Sequence, residues 1–189
     1  MTILPWAFCA ALLFAQTRLR GQDNAAERDY MKDRTGRWSV IMTLRTSPDA
    51  PPLVVRDLTA ERTMVGDFCL HEVMYPASAA KMPDFRRLSD LAYNVNERRW
   101  DYMSIDTRIT AGIMYFTYLS ADDTSITSFI TSFPHPGFGP GHTDRGRAVY
   151  MRNVVAKIDR DHDLVKQYWR LTDQPEWLGV QYQYTRMMQ

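Results

Sequence analysis

Apolar and polar residues alternate along most of this chain, in short runs separated by turn residues. From Gly36 onward, Trp38, Val40, Met42 and Leu44 face one way and Arg37, Ser39, Thr43 and Arg45 the other, with Ile41 the one exception. A period of two marks a strand with one buried face. Ser47 to Pro52 breaks the pattern as a long loop, and the next predicted strand covers Leu58 to Met64. Gly66-Asp67 turns it, Phe68 to Met74 returns, and Pro76 to Pro83 reads as loop. Phe85 to Val95 and Arg99 to Thr107 form a pair around Asn94 to Arg98. Gly112 to Leu119 then leads through Ala121-Asp122-Asp123 into Ser125 to Phe133. The Pro- and Gly-rich stretch Pro134 to His142 is irregular. Gly146 to Ile158, Leu164 to Leu171 and Leu178 to Met188 complete the series, with Asp159 to Asp163 as a turn. In the last strand Val180, Tyr182, Tyr184 and Arg186 alternate with Gln181, Gln183 and Thr185.

About ten strands with short sequential links predict an all-β, antiparallel up-and-down sheet. Closing that sheet into a barrel removes its edges. A short helix over Asn24 to Met31 is the one helical expectation.

The N-terminus differs from the rest. Ile3 to Ala15 is an apolar run, too short for a bilayer span of roughly 20 residues but of the length of a signal-peptide core. Its basic residues, Arg18 and Arg20, follow the run instead of preceding it. The predicted organisation is a signal peptide at 1–21, a polar segment at 22–34 and a β-barrel domain at 35–189. That places the mature chain in the periplasm or outside the cell, with no stable membrane span. Removing 1–21 also removes Cys9 and leaves Cys69 as the only cysteine, so no internal disulfide supports the fold. Cys69, between Phe68 and Leu70, reads as a buried inert thiol.

Charge narrows the partners. The net charge of +1 gives no nucleic-acid footprint, and Arg86-Arg87 and Arg98-Arg99 are interleaved with Asp84, Asp90, Glu97 and Asp101. These read as solvated strand ends. No Gly-x-Ser-x-Gly elbow, phosphate-binding glycine loop or His-Glu-x-x-His motif occurs.

The informative residues are polar groups on the inward face, because burial there requires a partner. If Trp38 faces inward, alternation places Arg62 inward beside Leu58 and Met64, and Glu72 inward beside Phe68, Leu70 and Met74. An Arg62–Glu72 pair across neighbouring strands satisfies both charges, and either locks the barrel or orients a ligand carboxylate or hydroxyl. Asp106 and Arg186 make a second candidate pair. Trp38, Tyr93, Trp100 and Tyr182 are candidates to line an apolar pocket. His135 and His142 bracket the Pro/Gly loop, which reads as a lid over the barrel mouth. No set of donors predicts a metal site, and His71 or His142 as a haem ligand has no flanking pattern. Asp159, Asp161 and Asp163 alternate like a calcium loop but lack its glycine and distal glutamate. No cofactor is predicted.

The order of several short motifs completes the reading. Gly36-x-Trp38 comes first, then Thr59-Ala60-Glu61-Arg62 with Gly66-Asp67-Phe68. Tyr93-Asn94 with Trp100 and Ile105-Asp106 follows, then the Asp159 to Asp163 turn and Tyr184-Thr185-Arg186. Over roughly Thr35 to Arg186 this order resembles the bacterial lipocalin-like family known as domain of unknown function 1579. Where that family has a Gly-Tyr-Asp step this chain has Ala92-Tyr93-Asn94, and Pro134 to Gly141 stands where the family has a Gly-rich stretch. The resemblance implies a small lipocalin-like (calycin-like) barrel with an internal cavity; it carries over no family activity, since the family is largely uncharacterised.

Three functional readings follow. In the first, the barrel binds a small, largely apolar ligand gated by the Pro134–His142 loop. In the second, an isomerase, cyclase or hydrolase uses Glu72 or Asp106 as an interior base of raised pKa. In the third, a side-chain-filled barrel has a structural or interaction role.

Overall fold

The computed structural model describes residues 24–77, 84–109, 111–137 and 144–188. The predicted signal peptide, residues 78–83 of the predicted loop, and Phe138 to His142 of the predicted lid lie outside the described residues.

A short helix, α1 (Ala25–Lys32), precedes ten strands. They are β1 (Gly36–Leu44), β2 (Leu53–Val65), β3 (Cys69–Pro76), β4 (Arg87–Asn94) and β5 (Arg99–Asp106), followed by β6 (Met114–Ala121), β7 (Ser125–Pro134), β8 (Ala148–Lys157), β9 (His162–Leu171) and β10 (Trp177–Arg186). Each strand pairs antiparallel with its sequence neighbours, and β10 returns to β1 to close the barrel. This is the up-and-down barrel that the alternation predicts.

The closing seam runs from Trp38↔Arg186 to Leu44↔Val180. Trp38, Val40, Met42 and Leu44 are all buried there, as are Val180, Tyr182 and Tyr184. Bulges between Val40 and Met42 and between Leu178 and Val180 bend the wall as closure requires. At the second bulge a side chain on Gly179 has no room: a Cβ would lie 2.5 Å from the Trp169 ring. Glycine there lets Trp169, 1% exposed, stack edge-on against Phe133 and Trp177.

The helix closes the end of the barrel where β1 begins and β10 finishes. Met31 joins the core, and the Tyr30 ring sits 5.2 Å from Trp100. Trp38 Nε1 donates to Arg34 O at 3.1 Å, tying the helix exit to the barrel floor. No helix among the described residues is long and apolar enough to cross a membrane.

Three local expectations change. β2 starts at Leu53, not Leu58, because Leu53 and Val54 are exposed and the β1 bulge shifts the register, so this stretch does not alternate. Phe68 is exposed in the β2–β3 turn, not on the inner face with Glu72. β9 begins at His162, which turns Asp163 from a turn residue into an inward strand residue, 3% exposed.

Candidate functional site

Register alone builds the core of the site. Arg62 on β2 lies opposite Glu72 on β3, Glu72 opposite Ser89 on β4, and Ser89 opposite Ser104 on β5. All four are buried, so a polar row runs around the inner wall. Arg62 Nε donates to Glu72 Oε2 at 2.8 Å, the predicted pair. Its Nη1 donates at 2.5 Å to Asp163 Oδ2 on β9, which lies beyond β1 and β10 round the wall. Arg34, just beyond α1, brings its Nε to 3.3 Å from the same oxygen.

Arg87 on β4 completes the cluster. The sequence places it among solvated strand ends, but it is 2% exposed. Its Nη1 donates to Tyr184 Oη at 3.3 Å and its Nη2 to Tyr102 Oη. Its approach to a carboxylate is looser, 3.6 Å to Glu72 Oε1, and Tyr184 donates to that same oxygen at 3.1 Å. Aromatic faces support the cations: the Arg62 guanidinium carbon lies 4.2 Å from the Tyr184 ring centre and 4.8 Å from that of Trp38.

These contacts set the protonation states. Burial pushes the Glu72 carboxyl up, but Arg62, Arg87 and the hydrogen bonds from Arg62 and Tyr184 outweigh it and hold Glu72 below its ordinary value. Burial raises Tyr184 and Tyr102, so both phenols are neutral. Arg62 and Arg87 stay charged; burial opposes this and the surrounding oxygens more than offset it. Burial lowers Arg34, the guanidinium with the poorest compensation.

A cavity of about 30 Å³ lies among Arg34, Arg62, Glu72, Arg87, Tyr102 and Tyr184. The opposite wall carries another polar row, Ser128, Asn153 and Gln167, in register across β7, β8 and β9. Asn153 is fully buried, and neither of its side-chain amide atoms has a protein partner among the described residues. A groove of about 380 Å³ opens on the outer surface between β5 and β6, and Tyr102 lines both it and the inner cavity.

No family model matches this chain, and no curated protein matches it either.

The predicted site residues separate into groups. Trp38, Arg62 and Glu72 come together in the cluster. Arg186 sits at its edge, with its guanidinium carbon 4.3 Å from the Trp38 ring centre. Its hydrogen bonds go to Thr35 O, Asp33 O and Asp161 Oδ1, so it fastens β10 to the start of β1. Asp106 lies at the other end of the barrel, where Arg108 holds it through a 2.5 Å ion pair; it does not pair with Arg186. Tyr182 lies between the ends, accepting from Arg108 Nη2 at 3.0 Å and stacking under Arg87. Tyr93 and Trp100 pack on each other at 5.2 Å beneath the helix. The four aromatics therefore do not line one cavity.

Asp163, Arg87 and Arg34 are the members the sequence reading missed. Extending the alternation of Val165, Gln167, Trp169 and Leu171 back by two residues reaches Asp163, and that signal was available. Arg34 follows a helix end and carries no comparable signal.

The histidines also resolve. His71 faces outward against Asp90 at 2.7 Å, and His162 is exposed beside Asp159. His135 is 1% exposed and accepts from Gly137 N at 3.0 Å, so this end of the predicted lid is fixed in the barrel wall. Cys69 begins β3 instead of lying mid-strand and is half-buried.

Proposed function

We propose that this chain is a lipocalin-like binding protein, secreted or periplasmic, that takes a small ligand into its barrel. The ligand presents a hydrogen-bond-accepting or anionic head to Arg62, Arg87 and Arg34. One observation carries the reading: a closed barrel keeps a cavity lined by three buried guanidinium groups, a carboxylate and two phenols. Burying charge is costly, and apolar side chains of similar volume fill such a space with equal or greater stability. A cluster of guanidinium groups and hydroxyls therefore fits recognition better than packing. The largely apolar ligand expected from aromatic content acquires a polar end on this reading. Export rests on the apolar run Ile3 to Ala15, and kinship with domain of unknown function 1579 rests on the order of motifs.

The lowered pKa of Glu72 argues against its use as an interior base, since acid–base work near neutrality needs a raised carboxyl. The small cavity supports a second reading, a filled barrel acting through its outer surface. Native mass spectrometry of the chain from Gln22, followed by solvent extraction, separates the two. A stoichiometric passenger bearing a polar head is the expected result. A barrel that stays empty after exposure to a lipid and metabolite extract selects the filled barrel.

A further inference from the structure

The charges inside the barrel do not balance. Arg34, Arg62 and Arg87 share two carboxylates, Glu72 and Asp163. At the other end Arg108 and Asp106 neutralise each other. Burial keeps Tyr30, Tyr102 and Tyr184 protonated, so no phenolate supplies the missing negative charge. Among the described residues one positive charge is left over in a region of low dielectric, where an uncompensated ion costs several kcal/mol.

The excess falls at a definite place. Arg34 is 2% exposed and lines the cavity. Its Nη1 donates to Tyr30 O at 3.0 Å, and its Nε lies 3.3 Å from Asp163 Oδ2, but its buried Nη2 has no hydrogen-bond partner among the described residues. Across the cavity Arg87 spends its stronger hydrogen bonds on neutral hydroxyls. Glu72 does not stand in the way, because Oε2 is held by Arg62 and Oε1 by Tyr184. Asp163 is not part of the lining.

We propose that this cavity binds a monovalent anion, a halide or a small carboxylate, between the guanidinium groups of Arg34 and Arg87. The volume of about 30 Å³ exceeds the roughly 10–15 Å³ that a cavity needs to hold one water-sized group, so it admits a single small anion. The anion satisfies Arg34 Nη2 and brings the interior to neutrality. The same chemistry comes from a free ion or from the head of a longer carboxylate ligand. The inference deepens the binding function proposed above and rests on it for the second source only.

The test follows the melting temperature of the full mature chain in sodium gluconate at fixed pH and ionic strength. Chloride, bromide, formate or octanoate replaces gluconate stepwise. A bound anion raises Tm by roughly 5 °C near saturation, from the linkage of binding to folding. Response to chloride and formate assigns the free ion; response to octanoate alone assigns the head of a longer ligand. Arg34→Met abolishes the response, read as the change in Tm from its own melting temperature in gluconate. Arg56→Met, at an exposed position, keeps the full response. Bromide diffraction shows a single anomalous peak in the cavity. Identical melting in all salts with only water in the cavity overturns the proposal, as does an unchanged response in Arg34→Met. An empty barrel by mass spectrometry beside a clear chloride response defeats the carrier reading and leaves the anion site standing. An organic passenger with no anion response does the reverse.

Discussion

Glu72 concentrates the electrostatic risk of the barrel in one side chain. Among the described residues it is the only carboxylate in contact with both Arg62 and Arg87. Removing one partner of a buried ion pair costs about 3–5 kcal/mol, because the remaining charge stays buried. Glu72→Gln is therefore expected to lower stability by about that amount in urea denaturation at pH 7. The pH dependence has a definite sign. A carboxyl held below its unfolded value stabilises the fold fully above that value, near 4.5, and loses the contribution as pH falls through the folded value. Urea midpoints of the wild type should fall more steeply below pH 4.5 than those of Glu72→Gln, and parallel curves would remove Glu72 from the account. Cys69 is the opposite case. Burial, with Asp90 close by, pushes its thiol up to about 11 from an ordinary value of 9.0. The thiolate is then about a hundredfold scarcer than in the unfolded chain. A disulfide reagent at pH 8 should label the folded protein at least tenfold more slowly than the urea-unfolded protein.

Elements succeed or fail here through their turns and seams. Asp122 organises the β6–β7 hairpin by accepting from the backbone N–H groups of Thr124 and Ser125 and from both hydroxyls. Those bonds hold its carboxyl down at about 2, so the turn persists through mild acid. Asp122→Ala should raise amide exchange at Thr124 and Ser125 and lower the melting point, and unchanged exchange would show that the turn forms without it. The β5–β6 seam is the weakest described part of the wall, registered only from Tyr102↔Phe116 to Ser104↔Met114. Arg99 to Asp101 and Thr117 to Ala121 should exchange first in hydrogen-exchange mass spectrometry. Most strands were legible in the sequence because one face of each is buried and the period of two is visible. β2 was cut short because Leu53 to Asp57 crosses a bulge with both faces partly exposed, which erases the period. β9 was cut short because Asp163 sits among Asp159, Asp161 and His162, and a run of acidic residues reads as solvated.

At the scale of the molecule, closure brings distant residues together. Arg62 and Asp163 are 101 positions apart, and only the completed barrel sets their oxygen and nitrogen at 2.5 Å. Gly179→Ala, at the seam that closes the barrel, should cost roughly 1–3 kcal/mol by driving a methyl group into Trp169, measured by denaturation. Sequence by itself determined most of the strands, most of their inward faces and their antiparallel order, because alternation and short links are local properties. It also determined the Arg62–Glu72 pair, because a hairpin fixes the register of its two strands. Only the tertiary structure decided that Arg87 is buried, that Asp163 reaches Arg62, that Asp106 and Arg186 lie at opposite ends, and how little space remains between them. Those facts depend on distances across the barrel and on how charges compensate there, and no local periodicity carries either.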